Sequence, residues 1–312
     1  MKSLLFVLCF LMTFALEAEQ FPHLILHFDI NKTLIASDKT ENKSIENVIN
    51  ELLSRKYSAR WEETLQEPLT FDAYVSTVLL PGAEHDVKLK EERLAYLIHF
   101  IDYLHKQHHP LYQTVLEEFT LVLDTLKRAE GNVFPSFYRL IFELNQKGIP
   151  YTLFLRSFGK EVFEVTNEIN SVFKGLFKIN GMFRKGILYL DGKEALSESQ
   201  VIHDFFCSKE NAAIRDDWSY WMEGEMEARY GKPIYIDQED RTVLTLFFDD
   251  NIKTGHSVKN IISPIDPKTG EFISIAQLIQ SKQVFSVNTL EAILNEHYYL
   301  NLVQESWEMH KK

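Results

Sequence analysis

Cysteine is nearly absent from this chain of 312 residues, which carries only Cys9 and Cys207. Cys9 falls in an apolar N-terminal run, so Cys207 is left without an internal partner and a disulfide framework is excluded. Cys207 alone reads as a small buried apolar side chain, not a nucleophile. Positive charge is also scarce: 33 Lys and Arg face 45 Asp and Glu, a formal net charge of -12. Nucleic-acid binding needs clustered cations to neutralise phosphates, so that partner class is disfavoured. A small phosphorylated ligand is not excluded, because one bound cation inverts a local field. With 12 Gly and 9 Pro in an ordinary balance of 45% hydrophobic and 25% charged residues, nothing points to disorder or to a fibrous repeat. Long apolar runs are missing downstream of the N-terminus, where no segment approaches the roughly 20 residues of a bilayer span.

The N-terminus itself has the layout of a secretory signal peptide over residues 1–18. Lys2 supplies the positive end, Ser3 to Leu16 the apolar run, and Ala15 and Ala18 the small residues. Cleavage after Ala18 is expected, giving a secreted or periplasmic protein with no stable membrane span. The length suggests one large domain or two modest ones.

Three short apolar runs organise the rest. Leu24 to Phe28 ends at Asp29, Tyr151 to Leu155 at Arg156-Ser157, and Val243 to Phe248 at Asp249-Asp250-Asn251. Near-continuous apolar strands are expected where a parallel sheet is covered on both faces. Phe137, Leu140, Ile141 and Leu144 repeat at helical spacing and stop at Gly148 before Pro150. Val162, Val165 and Ile169 follow the second run, so strand, helix and strand imply a right-handed parallel crossover. Asn260 to Ile262 and Val284 to Val287 are expected to add strands. Asn288 with Glu291 predicts a capped last helix over Thr289–Trp307. Gly175, Gly181, Gly186 and Gly192 predict hairpins between Phe173 and Asp191.

Residues 38–132 read differently. Ile45, Val48, Ile49, Leu52 and Leu53 mark one helix, Leu94, Leu97, Ile98, Ile101 and Leu104 a second, and Leu111, Val115, Phe119, Val122 and Leu126 a third. Such a block, inserted after the first strand, is large enough for a small helical domain. The remaining core then spans residues 19–37 and 133–312.

Ligands of open parallel sheets bind beyond the carboxyl ends of the strands. The three runs deliver Asp29, Ser157 and Asp249-Asp250 to that edge, with Asn31 and Thr33 beside the first. Asp and Ser commonly cap helices after strands, so the signal lies in the combination. Phe28-Asp29-Ile30-Asn31-Lys32-Thr33-Leu34 resembles the first motif of the haloacid dehalogenase superfamily, a hydrophobic strand followed by Asp-x-Asp-x-Thr. Ser157 resembles its second motif and Phe247-Phe248-Asp249-Asp250 its fourth. The helical insert is similar to the cap found between the first two motifs in many members.

The resemblance implies an α/β fold with a Rossmann-like parallel sheet, helices on both faces and a mainly helical cap. It implies Asp29 as a nucleophile that forms an aspartyl-phosphate, which splits one hard displacement into two. It also implies Mg²⁺ held by Asp29, the Asn31 backbone carbonyl, Asp250 and Asp249, a cation suited to oxygen ligands. Ser157 and Thr33 would donate to phosphoryl oxygens. A basic residue normally completes such a site, because the carboxylates and a phosphate stay net negative beside Mg²⁺. Lys232 in Gly231-Lys232-Pro233 is preferred, with Lys209 and Arg215 as the other candidates.

One departure stands out. The family's phosphatases usually carry Asp where this chain has Asn31, and an amide cannot shuttle a proton. General acid-base catalysis contributes about 10²–10⁴-fold. Expected, then, is a Mg²⁺-dependent phosphohydrolase of slow or specialised turnover acting on a small phosphorylated substrate. The alternative is an inactive module that binds a phosphorylated ligand or partner. A Ser157 hydrolase lacks the glycine preceding the nucleophile in Gly-x-Ser-x-Gly. A receiver-type phosphoacceptor would carry its acidic pair on the first strand. His85, His99, His105 and His108-His109 show no metal-ligand spacing. Trp61, Phe71, Trp218 and Trp221 are expected in the core.

Overall fold

The computed structural model describes residues 22–37, 43–83, 86–129, 131–192, 195–254 and 258–311. The segment read as a signal peptide lies outside them, as does His85. The strands are β1 (His23–Asp29), β2 (Ser58–Ala59), β3 (Leu69–Thr70), β4 (Tyr151–Ser157), β5 (Ile179–Arg184), β6 (Ile187–Leu190), β7 (Ala212–Arg215), β8 (Lys232–Tyr235), β9 (Val243–Asp249), β10 (Ile262–Ile265) and β11 (Val284–Ser286). Among the described residues the α-helices are α1 (Ile45–Lys56), α2 (Phe71–Tyr74), α3 (Val87–Ile98), α4 (Phe100–Lys106), α5 (Tyr112–Arg128), α6 (Pro135–Lys147), α7 (Glu161–Val172), α8 (Ser199–Phe206), α9 (Trp218–Glu223), α10 (Ile275–Gln280), α11 (Thr289–Leu294) and α12 (Tyr298–His310).

A seven-stranded sheet in the order β11-β9-β1-β4-β7-β5-β6 forms the centre, parallel except for the β5–β6 pair. The three apolar runs become its adjacent strands β9, β1 and β4, in register so that Phe28 lies beside Phe248 and Leu155. Leu24, Ile25, Leu26 and Phe28 are at most 2% exposed, which is why β1 needs no polar alternation. The Phe28 ring stacks on Phe248 at 4.5 Å, Phe248 stacks on Phe285 at 5.1 Å, and Tyr299 packs edge-on to Phe28. Each such ring contributes about 1.5–3 kcal/mol by leaving water.

Local chemistry sets the element ends. Pro135 opens α6 and Gly148 closes it in the left-handed region at φ 64°. The β5–β6 hairpin turns through Lys185 and Gly186, both at positive φ, the geometry of a tight two-residue hairpin turn.

Several expected elements differ. The strand expected at Asn260–Ile262 begins only at Ile262, and it pairs with β8 in a separate two-stranded sheet. The helix expected over Thr289–Trp307 starts where predicted, with the Asn288 side chain accepting from Glu291 N, but splits into α11 and α12. Asn295 Oδ1 accepts from His297 N at 3.0 Å, a local turn that competes with helical bonding. The helix expected over Leu94–Leu104 breaks at His99. Asn50 Oδ1 from α1 accepts from Ile101 N at 3.1 Å and so satisfies a donor at the start of α4.

The inserted helical block shares the core of the sheet. Ile49, Leu53, Phe71, Phe100, Leu104, Val115 and Val122 belong to the same buried cluster as Leu26, Phe28, Phe137 and Phe248. Trp61 and Phe71 are buried there as expected, with Trp61 Nε1 donating to Leu69 O at 2.7 Å. No described helix is long and apolar enough to cross a membrane.

Candidate active site at the carboxyl edge of the sheet

Because β9, β1 and β4 are neighbours and parallel, their last residues Asp249, Asp29 and Ser157 meet along one edge. A tight turn follows β1, with Leu34 N bonded to Ile30 O at 2.8 Å and Lys32 at φ 57°. A non-glycine residue rarely adopts that conformation. Here Thr289 Oγ1 donates to Lys32 O at 2.5 Å, and Tyr299 hydroxyl donates to Thr33 O. These bonds hold the turn against the edge of β1.

Lys232 closes the site. It opens β8, is 1% exposed, and its Nζ donates to Asp29 Oδ1 at 2.5 Å and to Asp249 Oδ2 at 2.7 Å. Lys209, by contrast, is exposed in the turn after α8, and Arg215 Nε donates to Phe158 O. Of the three cationic candidates, Lys232 is the one that reaches the carboxylates. Ligand oxygens of Asp29, Asp249 and Asp250 all lie within 4.8 Å of one another.

Lys232 meets two of the three carboxylates directly, and Lys32 and Arg55 act on the third, Asp250, from farther off. Burial works against the charge of Lys232, yet Asp249 and Asp29 outweigh it and raise its pKa above the ordinary ammonium value. Burial pushes Asp29 well above the usual carboxylate range; Lys232 opposes that shift, and Asp249 and Asp250 add to it. Burial and the Asp249 charge push Asp250 up to about 7. All three shifts share a cause, clustered negative charge in a dry place, and a bound cation would relieve it. Three carboxylates form a hard oxygen set of the kind Mg²⁺ takes.

Thr33 lies beside the acidic pair. It is fully buried, and its Oγ1 accepts from Asp250 N at 3.1 Å, so in this arrangement it braces the acidic pair. Asn31 Nδ2 donates to Glu161 Oε1 at 2.9 Å, and its Oδ1 is buried without a partner. The Ser157 hydroxyl donates to Glu161 as well.

Glu161 and the pair Arg156–Asp216 were not legible as site residues. Arg156 Nη2 donates to Asp216 Oδ1 at 2.5 Å, Nε to Oδ2 at 3.1 Å and Nη1 to Pro233 O at 3.0 Å. This fully buried fork fastens β4 to the residue after Lys232. Its one sequence signal is an Arg directly at the end of an apolar run, where burial demands an acidic partner. Glu161 in the first turn of α7 looked like an ordinary helix-start acid.

The remaining chemistry-bearing residues are structural. Cys207 is half-buried, and burial with nearby Asp side chains pushes its thiol up to about 11, as expected of an unreactive cysteine. His109 packs against Trp61 at 4.9 Å with its ring tilted, and its Nδ1 accepts from Leu111 N. Trp218 corrects an expectation: at 49% exposure it is not core. With Trp221 and Phe158 it forms an aromatic group, and Phe158 lies 5.2 Å from Lys232 Nζ. No family model, curated protein or solved structure matched the chain.

Proposed function

We propose that this protein is a Mg²⁺-dependent phosphohydrolase of haloacid dehalogenase type, with Asp29 as nucleophile and residues 38–132 as its helical cap. The observation that carries the reading is Lys232 Nζ between Asp29 and Asp249, with Asp250 beside them, at the carboxyl ends of neighbouring parallel strands. Carboxylates gathered around one ammonium suit a phosphoryl group only together with a divalent cation. Asp29, Asp250, Asp249 and the Asn31 carbonyl would hold Mg²⁺, which supplies neutralising charge for the phosphoryl oxygens when bound.

Asp29 attacks phosphorus through its carboxylate oxygen, the bond to the leaving alkoxide breaks, and the alkoxide takes a proton from water. Water then attacks the phosphorus of the aspartyl-phosphate, which restores Asp29 and releases inorganic phosphate. Lys232 fixes the Asp29 rotamer and keeps positive charge beside the developing negative charge. Asn31 holds its place in the turn but cannot carry a proton. Turnover is therefore slow, or restricted to esters with good leaving groups.

The test is phosphate release from a panel of phosphate monoesters with and without Mg²⁺. Asp29→Asn is expected to abolish it, and activity surviving unchanged in that variant would sink the reading. Asn31→Asp is expected to raise turnover by about 10²-fold or more, the scale of a restored acid-base group.

A further inference from the structure

Glu161 lies against Ser157, the residue that the phosphohydrolase reading gives to a phosphoryl oxygen. It is 6% exposed, it receives the Ser157 hydroxyl hydrogen bond, and it receives the Asn31 amide at 2.9 Å. The Ser157 oxygen also accepts from Gly159 N at 3.1 Å. Its single proton is thus committed to Glu161 and is not free for another anion.

The carboxylate has this position because residue 159 has no side chain. A Cβ built on Gly159 would overlap the carboxyl carbon and both oxygens of Glu161, its three nearest atoms. Gly159 lies outside the left-handed region, so its backbone does not require glycine. What the glycine provides is room for the Glu161 carboxylate over Ser157.

We infer that Glu161 is the specificity-determining residue of this site. It fills the phosphoryl-oxygen position when no substrate is bound. It discriminates against inorganic phosphate and minimal phosphate esters, in favour of monoesters whose other part binds elsewhere and drives the carboxylate off. The inference rests on the phosphohydrolase reading of Asp29 and names the substrate class for it. A phosphoryl dianion and the carboxylate cannot share the Ser157 proton, and their like charges repel in a buried site. Binding energy from the remote part of the substrate must therefore drive the exchange. Inorganic phosphate has no remote part, so it leaves readily as product.

Two variants remove the obstacle by different routes. Glu161→Gln keeps the size and removes the charge. Gly159→Ala keeps the charge and displaces the carboxylate. Inorganic phosphate is titrated calorimetrically into the full chain with saturating Mg²⁺, and thermal unfolding of each variant checks the fold. Both variants are expected to bind phosphate at least about tenfold tighter than the parent, the scale of releasing a charged hydrogen-bond competitor. Unchanged or weaker affinity in a variant that melts like the parent overturns the inference, as does phosphate binding to none of the three proteins. If Gly159→Ala does not fold, Glu161→Gln decides, with Glu161→Ala as its check. Hydrolysis is scored separately. Tighter phosphate binding without any Asp29-dependent hydrolysis upholds the role of Glu161 and defeats the phosphohydrolase reading. Asp29-dependent hydrolysis with unchanged phosphate affinity does the reverse.

Discussion

Lys232 and His27 are both buried but answer to opposite pressures. Lys232 is kept charged by Asp249 and Asp29. Its replacement by Met leaves two buried carboxylates face to face, and breaking such a pair costs about 3–5 kcal/mol. Urea unfolding without metal should read that loss, and saturating Mg²⁺ should return part of it. His27 is kept neutral. It is fully buried, stacked on Phe154 at 4.9 Å, with Nε2 unpartnered and Arg156 Nη1 3.4 Å from Nδ1. Burial first, then the Arg156 charge, lowers its pKa well below 6.5. Below the unfolded value the unfolded chain takes up a proton that the folded chain refuses. Stability from this group is therefore present above about pH 6.5 and declines below it by up to about 1.4 kcal/mol per pH unit. His27→Gln should lose that slope between pH 7 and 5. An unfolding free energy with the same slope in both proteins would contradict it.

At the scale of elements, the separate β8–β10 pair aims Lys232, and glycine permits the pairing. A Cβ on Gly231 would meet Ile261 O and the backbone around it, and Lys232 N donates to that same carbonyl at 2.7 Å. A backbone atom cannot yield as a side chain can. Gly231→Ala should push β8 from β10 at a cost of about 1–3 kcal/mol and move Nζ out of reach of Asp29. Thermal unfolding reads the first effect and Mg²⁺ affinity the second; a variant with parental values for both would show that the approach is not needed. The strands that carry Asp29, Ser157 and Asp249 were legible because burial on both faces leaves near-continuous apolar runs. The pairing of β8 with β10 was not, because a four-residue strand carries no period strong enough to name its partner. The breaks at His99 and Asn295 were missed for a related reason: apolar spacing continues across them, and single side chains, Asn50 and Asn295, decide them.

For the molecule as a whole, the acidic cluster at the sheet edge links stability to pH and, on the proposed reading, to metal. The Asp250 pKa rises to about 7, from burial and the neighbouring Asp249. The folded chain then binds more protons than the unfolded chain between about pH 4 and 7, so this group lowers stability as pH rises through that window. Mg²⁺ should reverse the trend. At pH 8, a concentration 100-fold above its dissociation constant stabilises by about 2.7 kcal/mol, which raises the Tm by roughly 5 °C for a chain of this size. At pH 5, where Asp250 is protonated, the shift should be much smaller, and at pH 8 Asp250→Asn should lose most of it. An equal shift at both pH values would place the metal elsewhere.

The sequence by itself determined the parallel centre, the order in which Asp29, Ser157 and Asp249-Asp250 reach one edge, and the presence of a hairpin between Phe173 and Asp191. These follow from local pattern: apolar runs, helical spacing and turn residues that each act within a few positions. Only the tertiary structure decided that Lys232, and not Lys209 or Arg215, stands between Asp29 and Asp249 at 2.5 and 2.7 Å. It alone joined the helical insert to the core of the sheet, and it alone laid Glu161 over Ser157 and Asn31. Each of those depends on which distant segments share a buried space. The energy that settles it, the cost of leaving a charge or a polar atom unpaired there, has no local signature in the chain.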